Sequence, residues 1–151
     1  MNTQDFGVKE VLITGETLPE AYHKALVELA ADDKIYPCAD WNTTQKEISM
    51  TMVVTDPLKE PMISKLFIGG PRELEQYRQE MLFGILDFEV ERGNWAYTYH
   101  QRMEKQFPFI INELKRNPSS RRAVILIRDW EVDAASDDPA CLQHIQYFIR
   151  E

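Results

Sequence analysis

The chain has 151 residues, with 44% apolar and 28% charged side chains, a composition that excludes disorder and low complexity and leaves one globular domain as the expectation. Its net charge of −8 argues against general binding to nucleic acid or an anionic membrane, so an anionic ligand must be met by a local basic cluster. Cys38 and Cys141 stand alone, and His23, His100 and His144 lie far apart, so neither a disulfide framework nor a metal site is expected.

Met1-Asn2-Thr3-Gln4-Asp5 has no basic flank or hydrophobic run, and no apolar stretch is long enough for a bilayer. The expected location is the cytoplasm. Val8 to Thr14 reads as a strand ending at Gly15. Thr17 is an N-cap candidate, with Pro19 and Glu20 in the first turn. Ala21, Leu26, Val27, Leu29 and Ala30 then form a helical stripe that ends near Asp32-Asp33. Lys34 to Gln45, broken by Pro37, reads as a loop. Glu47 to Val54 alternates as a half-buried strand, with Ile48, Met50 and Met52 on one face.

Pro57 to Pro71 is read as irregular. A second helix opens at Pro71, its stripe being Leu74, Tyr77, Met81, Leu82 and Ile85. After the loop Glu91-Arg92-Gly93-Asn94, a third helix is expected over Tyr99 to Lys115. Its stripe is Phe107, Ile110, Ile111 and Leu114, and Pro108 falls where it kinks or delays the helix. Asn117-Pro118-Ser119-Ser120 is a stop and turn. Ala123 to Ile127 reads as a strand, Asp133 to Pro139 as an acidic loop, and Leu142 to Ile149 as a final strand. Strands mixed with three helices imply the α+β class.

Three places could carry chemistry. Cys141 lies at a loop-to-strand junction, where a neighbouring positive charge would make its thiol a nucleophile. Spacing alone favours the plainer reading, a small hydrophobe buried at a strand start. Arg121-Arg122 offers guanidinium forks suited to phosphate oxygens, with Ser119 and Ser120 as further donors. Strand alternation would send the two arginines to opposite faces, and they also read as a solvated pair at a helix–strand corner. Trp95 to Arg102 mixes aromatic and polar groups, as ligand pockets and domain seams both do. Cys38 beside Pro37 reads as incidental. Glu73, Glu75 and Glu80 read as a solvated helix face.

Taken together, these segments resemble a known family. Pro118-Ser119-Ser120-Arg121-Arg122-Ala123-Val124-Ile125, Cys141 after Pro139, and Gln146 five positions later are similar to the thymidylate synthase / deoxycytidylate hydroxymethylase family. Trp95, Tyr97, Tyr99-His100 and Arg102 resemble its Trp–Tyr–Arg segment, in the form of archaeal-type and hydroxymethylase-like members. The resemblance is most specific from Asn94 to Arg150.

The resemblance implies a thymidylate synthase-like mixed sheet with helices packed on it, incomplete at its C-terminus. It implies one domain over residues 1–151, the N-terminal part of a longer chain. The implied reaction is folate-dependent C5 methylation of a pyrimidine deoxynucleotide, deoxyuridylate to thymidylate. Cys141 matches the nucleophile, and Glu80 is the best-positioned counterpart of the catalytic glutamate. Arg121 and Arg122 match the arginine pair that holds the nucleotide phosphate across a homodimer interface. Trp95 and Tyr97 match pocket residues, and Gln146 the position supporting the active-site strand. 5,10-Methylenetetrahydrofolate is the implied cosubstrate, without a metal. The implied partners are the nucleotide, the reduced folate and a second copy of the chain, with no nucleic acid or membrane. A deoxycytidylate or deoxyuridylate hydroxymethylase is the alternative within the family, and a non-catalytic nucleotide-binding or dimerising domain the alternative outside it. The family's Arg-Ser, base-reading and His-x-Tyr segments would lie beyond Glu151, so the chain alone is expected to show no turnover.

Overall fold

The computed structural model describes residues 9–150. The chain is α+β. Its described residues form two compact units, one ending at Pro71 and one beginning at Arg72. No helix among the described residues is long and apolar enough to cross a membrane.

The first unit opens with β1 (Lys9–Gly15) and α1 (Leu18–Ala31). Val8, the first residue of the expected strand, lies outside the described residues. Thr17 caps α1: its extended backbone starts the helix, and its hydroxyl accepts from the Glu20 amide at 3.3 Å. A β-carbon on Gly15 would lie 2.5 Å from the Ala21 nitrogen, so glycine lets the strand end against the first turn of α1.

The stretch 34–45, expected to be a loop, instead forms a hairpin of β2 (Tyr36–Cys38) and β3 (Thr43–Gln45), with Pro37 opposite Thr44. Proline is tolerated on such an edge strand, where a ladder donor is dispensable. β4 (Ile48–Val54) then pairs parallel with β1, in register from Lys9 with Ile48 to Gly15 with Val54. A parallel pair cannot be joined by a tight turn, and α1 with the hairpin supplies the crossover. Ile13, Ala21 and Ala25 are the buried centre, with Met50 and Val54 packed on it. Met52 shares the inward parity of β4 yet stays exposed, because one helix over two strands covers only part of its face. Residues 57–70 are irregular as read, and are tied to α1 by His23 Nε2 at 2.8 Å from Ser64 Oγ and by Phe67 edge-on to Tyr22.

The second unit contains α2 from Arg72 onward (Pro71–Phe83), α3 (Phe88–Glu91), α4 (Tyr99–Met103), α5 (Phe107–Arg116), β5 (Val124–Leu126), α6 (Trp130–Asp133) and β6 (His144–Gln146). The single helix expected over Tyr99 to Lys115 is divided into α4, a 3₁₀ turn at Glu104–Gln106, and α5. Pro108 is the cause. Its ring displaces the carbonyl one turn earlier and it has no amide to donate, so it fits only in a first turn. The stripe of α5 is also corrected, since Ile110 and Glu113 are buried whereas Ile111 is half exposed. The last strand is shorter than Leu142 to Ile149, because only Val124 to Leu126 is available as its antiparallel partner. The acidic loop begins with a helical turn, α6, which takes Asp133.

The core of this unit is Met103, Ile110, Ala123, Ile125, Ile127 and Ala140. Ile125 and Ile127 are fully buried around an exposed Leu126, the period of two that a strand with one covered face requires. Each such isoleucine contributes about 1.5–3 kcal/mol through burial. The described strands thus form one parallel and two antiparallel pairs.

Candidate active site

Two cavities in the second unit take up the residues singled out in the sequence. The first, of about 350 Å³, is lined by Tyr77 and Glu80 from α2, by Trp95, Tyr97 and Tyr99, and by Asp138. Tyr77, Glu80 and Met81 share a helix face at spacings of three and four, so α2 delivers them together. Glu80 is partly buried and accepts from Gln76 Nε2 at 2.9 Å.

The opposite wall is the segment before α4. Thr98 caps that helix, accepting from the Gln101 amide at 3.2 Å, and donates its own hydroxyl to Asp87 Oδ1 at 2.5 Å. Asp87 also faces His100 Nδ1 at 2.7 Å. Gly84 makes this possible, because its positive φ of 62° suits glycine and a β-carbon there would collide with the His100 ring. Asn94 is held by the Glu89 carboxylate. Trp95 and Tyr97 are therefore carried on a segment pinned at both ends.

Tyr97 packs edge-on to Tyr99 at 5.7 Å between ring centres. Burial pushes its phenol up to about 12, and Tyr99, Asp138 and Cys141 add to the effect. At neutral pH Tyr97 is thus an uncharged hydrogen-bond donor on the cavity wall. Burial raises the Tyr77 phenol as well, with Tyr99 and Glu80 contributing.

Cys141 is exposed, which removes its reading as a buried hydrophobe. The preceding residue, Ala140, is completely buried, so the sulfur stands at the rim of a fixed backbone. Cys38 is half-buried on β2 in the other unit.

The second cavity, of about 540 Å³, is lined by Glu113, Arg116, Asn117, Ser119, Arg121 and Arg122 among others. Arg121 and Arg122 precede β5 instead of lying within it, so strand alternation does not divide them and both are exposed on one cavity. The sequence reading missed the residue that builds this turn. Glu113, on the core side of α5, accepts from Ser120 Oγ at 2.5 Å and pairs with Arg116 Nη2 at 2.5 Å. Ser120 Oγ in turn accepts from the Arg122 amide at 3.1 Å. The Ser120 hydroxyl first, and the Arg116 guanidinium second, hold the Glu113 carboxyl below its ordinary value. A carboxylate three residues after Ile110, within the apolar stripe, was the available signal. Gln146 on β6 donates to the Arg121 carbonyl at 3.1 Å, joining the last strand to the arginine turn.

The structure therefore gathers Glu80, Trp95 and Tyr97 on one cavity, which Asp138, three residues before Cys141, also lines, while Cys141 itself is not part of that lining. It places Arg121 and Arg122 on another. Flat aromatic faces suit a heterocycle, and paired guanidiniums suit a phosphate. Among the described residues no group of three His, Cys, Asp or Glu could hold a metal ion.

The chain is similar to archaeal proteins named "putative thymidylate synthase". That of Methanocaldococcus jannaschii is 26% identical over 143 residues, covering 89% of this chain and 64% of its own length. That of Methanosarcina barkeri is 20% identical over 142 residues, covering 93% and 64%. That of Methanothermobacter thermautotrophicus is 29% identical over 90 residues, covering 56% and 38%. The chain thus spans just under two thirds of the length of the first two relatives. No family profile and no solved structure matches it.

Proposed function

We propose that this chain carries the nucleophile and part of the nucleotide grip of a thymidylate synthase-like one-carbon transferase acting on a pyrimidine deoxynucleotide. The observation that carries the reading is the exposed Cys141 near Tyr97, whose cavity also takes Glu80 and Trp95. The similarity to archaeal proteins of that name supports it.

In this reading the Cys141 thiolate forms a bond to C6 of the pyrimidine. The electron pair of the C5–C6 double bond moves to C5 and the C4 carbonyl, and C5 attacks the one-carbon group. Loss of the C5 proton expels the folate nitrogen and leaves a methylene on the ring, and a hydride added to that carbon drives out the thiolate and restores the C5–C6 double bond. A reduced folate, as second substrate, supplies the one-carbon unit and the hydride that makes it a methyl group. Glu80 moves or orients protons at the cavity wall, Trp95 stacks on a ring, and Tyr97 donates its phenolic hydrogen. Arg121 and Arg122 hold the phosphate of a nucleotide bound by a second copy of the chain, and Gln146 fixes their turn to β6. The separation of the arginine cavity from the aromatic one favours this shared arrangement.

Alkylation in the presence of deoxyuridylate tests the reading. Iodoacetamide is expected to modify Cys141 faster than Cys38 near neutral pH, and deoxyuridylate to slow the reaction at Cys141 alone. Equal rates, or protection of neither thiol, would contradict it.

A further inference from the structure

Asp133 has no part in the reaction just described, yet it is the most buried carboxylate among the described residues of the second unit, its side chain only 2% exposed. A buried carboxylate is costly unless paired and hydrogen-bonded, so its partners define its role. Oδ1 accepts from Arg102 Nη2 at 2.8 Å. Oδ2 accepts from the Asp129 amide at 2.9 Å and lies 4.0 Å from Arg128 Nε.

The two guanidiniums lead in different directions. Arg102, itself largely buried, stacks its charged carbon 5.1 Å from the centre of the Tyr97 ring. A cation over an aromatic face fixes the ring's tilt as well as attracting it. Arg128 donates through Nη1 to the Ala140 carbonyl at 3.2 Å, on the peptide unit that leads into Cys141. The Asp129 carboxylate, 3.8 Å from Arg102 Nη1, adds a second negative charge on the same side. The start of the acidic loop is therefore a clasp: a short helical turn whose last residue reaches back to its own N-cap amide and grips two arginines.

We propose that Asp133 is a positioning residue that sets the Tyr97 ring and the Cys141 backbone relative to each other, through Arg102 on one side and Arg128 on the other. This rests on the reading of Cys141 and Tyr97 as parts of one site. An error of about 1 Å between reacting groups costs on the order of a hundredfold in rate, which gives such a clasp its importance.

The test uses reporters that need no turnover and no nucleotide. Tyr97 is followed by fluorine NMR of 3-fluorotyrosine-labelled chain, its resonance assigned with Tyr97→Phe. Cys141 is followed by its alkylation rate in a Cys38→Ser background. Asp133→Asn is expected to move the Tyr97 resonance, leave those of Tyr22 and Tyr36 in the first unit in place, and change the Cys141 rate by roughly threefold or more. Arg102→Gln is expected to move the ring reporter alone, and Arg128→Gln the thiol reporter alone. If Asp133→Asn does not fold, the two arginine variants carry the test. A folded Asp133→Asn that moves neither reporter, or only one, overturns the proposal, as do arginine variants that move neither. Failure of deoxyuridylate to protect Cys141 would strike the nucleotide reading and leave both reporters untouched.

Discussion

The wall that carries Trp95 and Tyr97 and the turn that carries Arg121 and Arg122 lie in the same unit, and each follows a helix. They are held by different physics. The aromatic wall keeps its shape through burial and ring contacts, with Tyr97 and Tyr99 packed on the hydrophobic core and Thr98 locked to Asp87. The arginine turn buries no large apolar side chain of its own. It is held by polar contacts: the Glu113 carboxylate, the Ser120 hydroxyl that this carboxylate fixes, and Gln146 donating to the Arg121 carbonyl. A rigid apolar wall suits a flat neutral ring. A polar turn held by such contacts leaves its guanidiniums free to meet an anion.

The largest expected effect is in the core on which the aromatic wall rests. Ile125→Ala empties fully buried volume in the cluster against which Tyr97 and Tyr99 pack and is expected to cost about 2–5 kcal/mol in urea unfolding. Leu126→Ala, on the exposed face of the same strand, is expected to stay within about 0.5 kcal/mol. Equal costs would show that the strand does not divide the faces as described.

The next effect separates the two cavities by ligand. Trp95→Ala is expected to weaken deoxyuridylate and its nucleoside alike, by about 1–3 kcal/mol in calorimetry, the range for a base stacked on an aromatic ring. Arg121→Ala with Arg122→Ala is expected to weaken only the nucleotide, by roughly 1.5–3 kcal/mol for each lost charged hydrogen bond, and to flatten its salt dependence. Loss of nucleoside affinity in the arginine variant would merge the two sites into one.

The smallest effect is in pH. Because the Glu113 carboxyl is held below its ordinary value of 4.5, its contribution to stability is complete above that value. It is lost as pH falls through the lower folded-state value. Acid is therefore expected to loosen the arginine turn before the aromatic wall, and Glu113→Gln to remove that part of the acid dependence. A thermal melt of Glu113→Gln that falls with acid as steeply as the parent would contradict this.

Much of the aromatic side was legible in the sequence. Helical spacing put Tyr77 and Met81 on one face of α2, and the order of Trp95, Tyr97, Arg102, Arg121, Arg122 and Cys141 matched a family pattern. The supporting carboxylates were not legible. Sequence spacing singles out neither Asp87 nor Glu113 and places Asp133 only in an acidic loop, because Asp133 meets Arg102 and Asp87 meets His100 across 31 and 13 positions that no local pattern joins. The exposure of Cys141 was equally hidden, since a loop-to-strand junction presents or buries its first residue according to the partner strand. The hairpin at Tyr36–Gln45 escaped because Pro37 breaks the local strand signal without preventing edge pairing.

The central claim is that the Cys141 sulfur bonds to C6 of a pyrimidine nucleotide. The most direct measurement uses deoxyuridylate carrying fluorine at C5, together with the reduced folate. Fluorine cannot leave as the proton does, so the adduct stops at the covalent stage and is read by mass spectrometry of the digested chain. The account predicts the combined mass of one nucleotide and one folate on the peptide containing Cys141, and neither in Cys141→Ser. A chain that takes up no nucleotide there, or takes it up at Cys38, would contradict it.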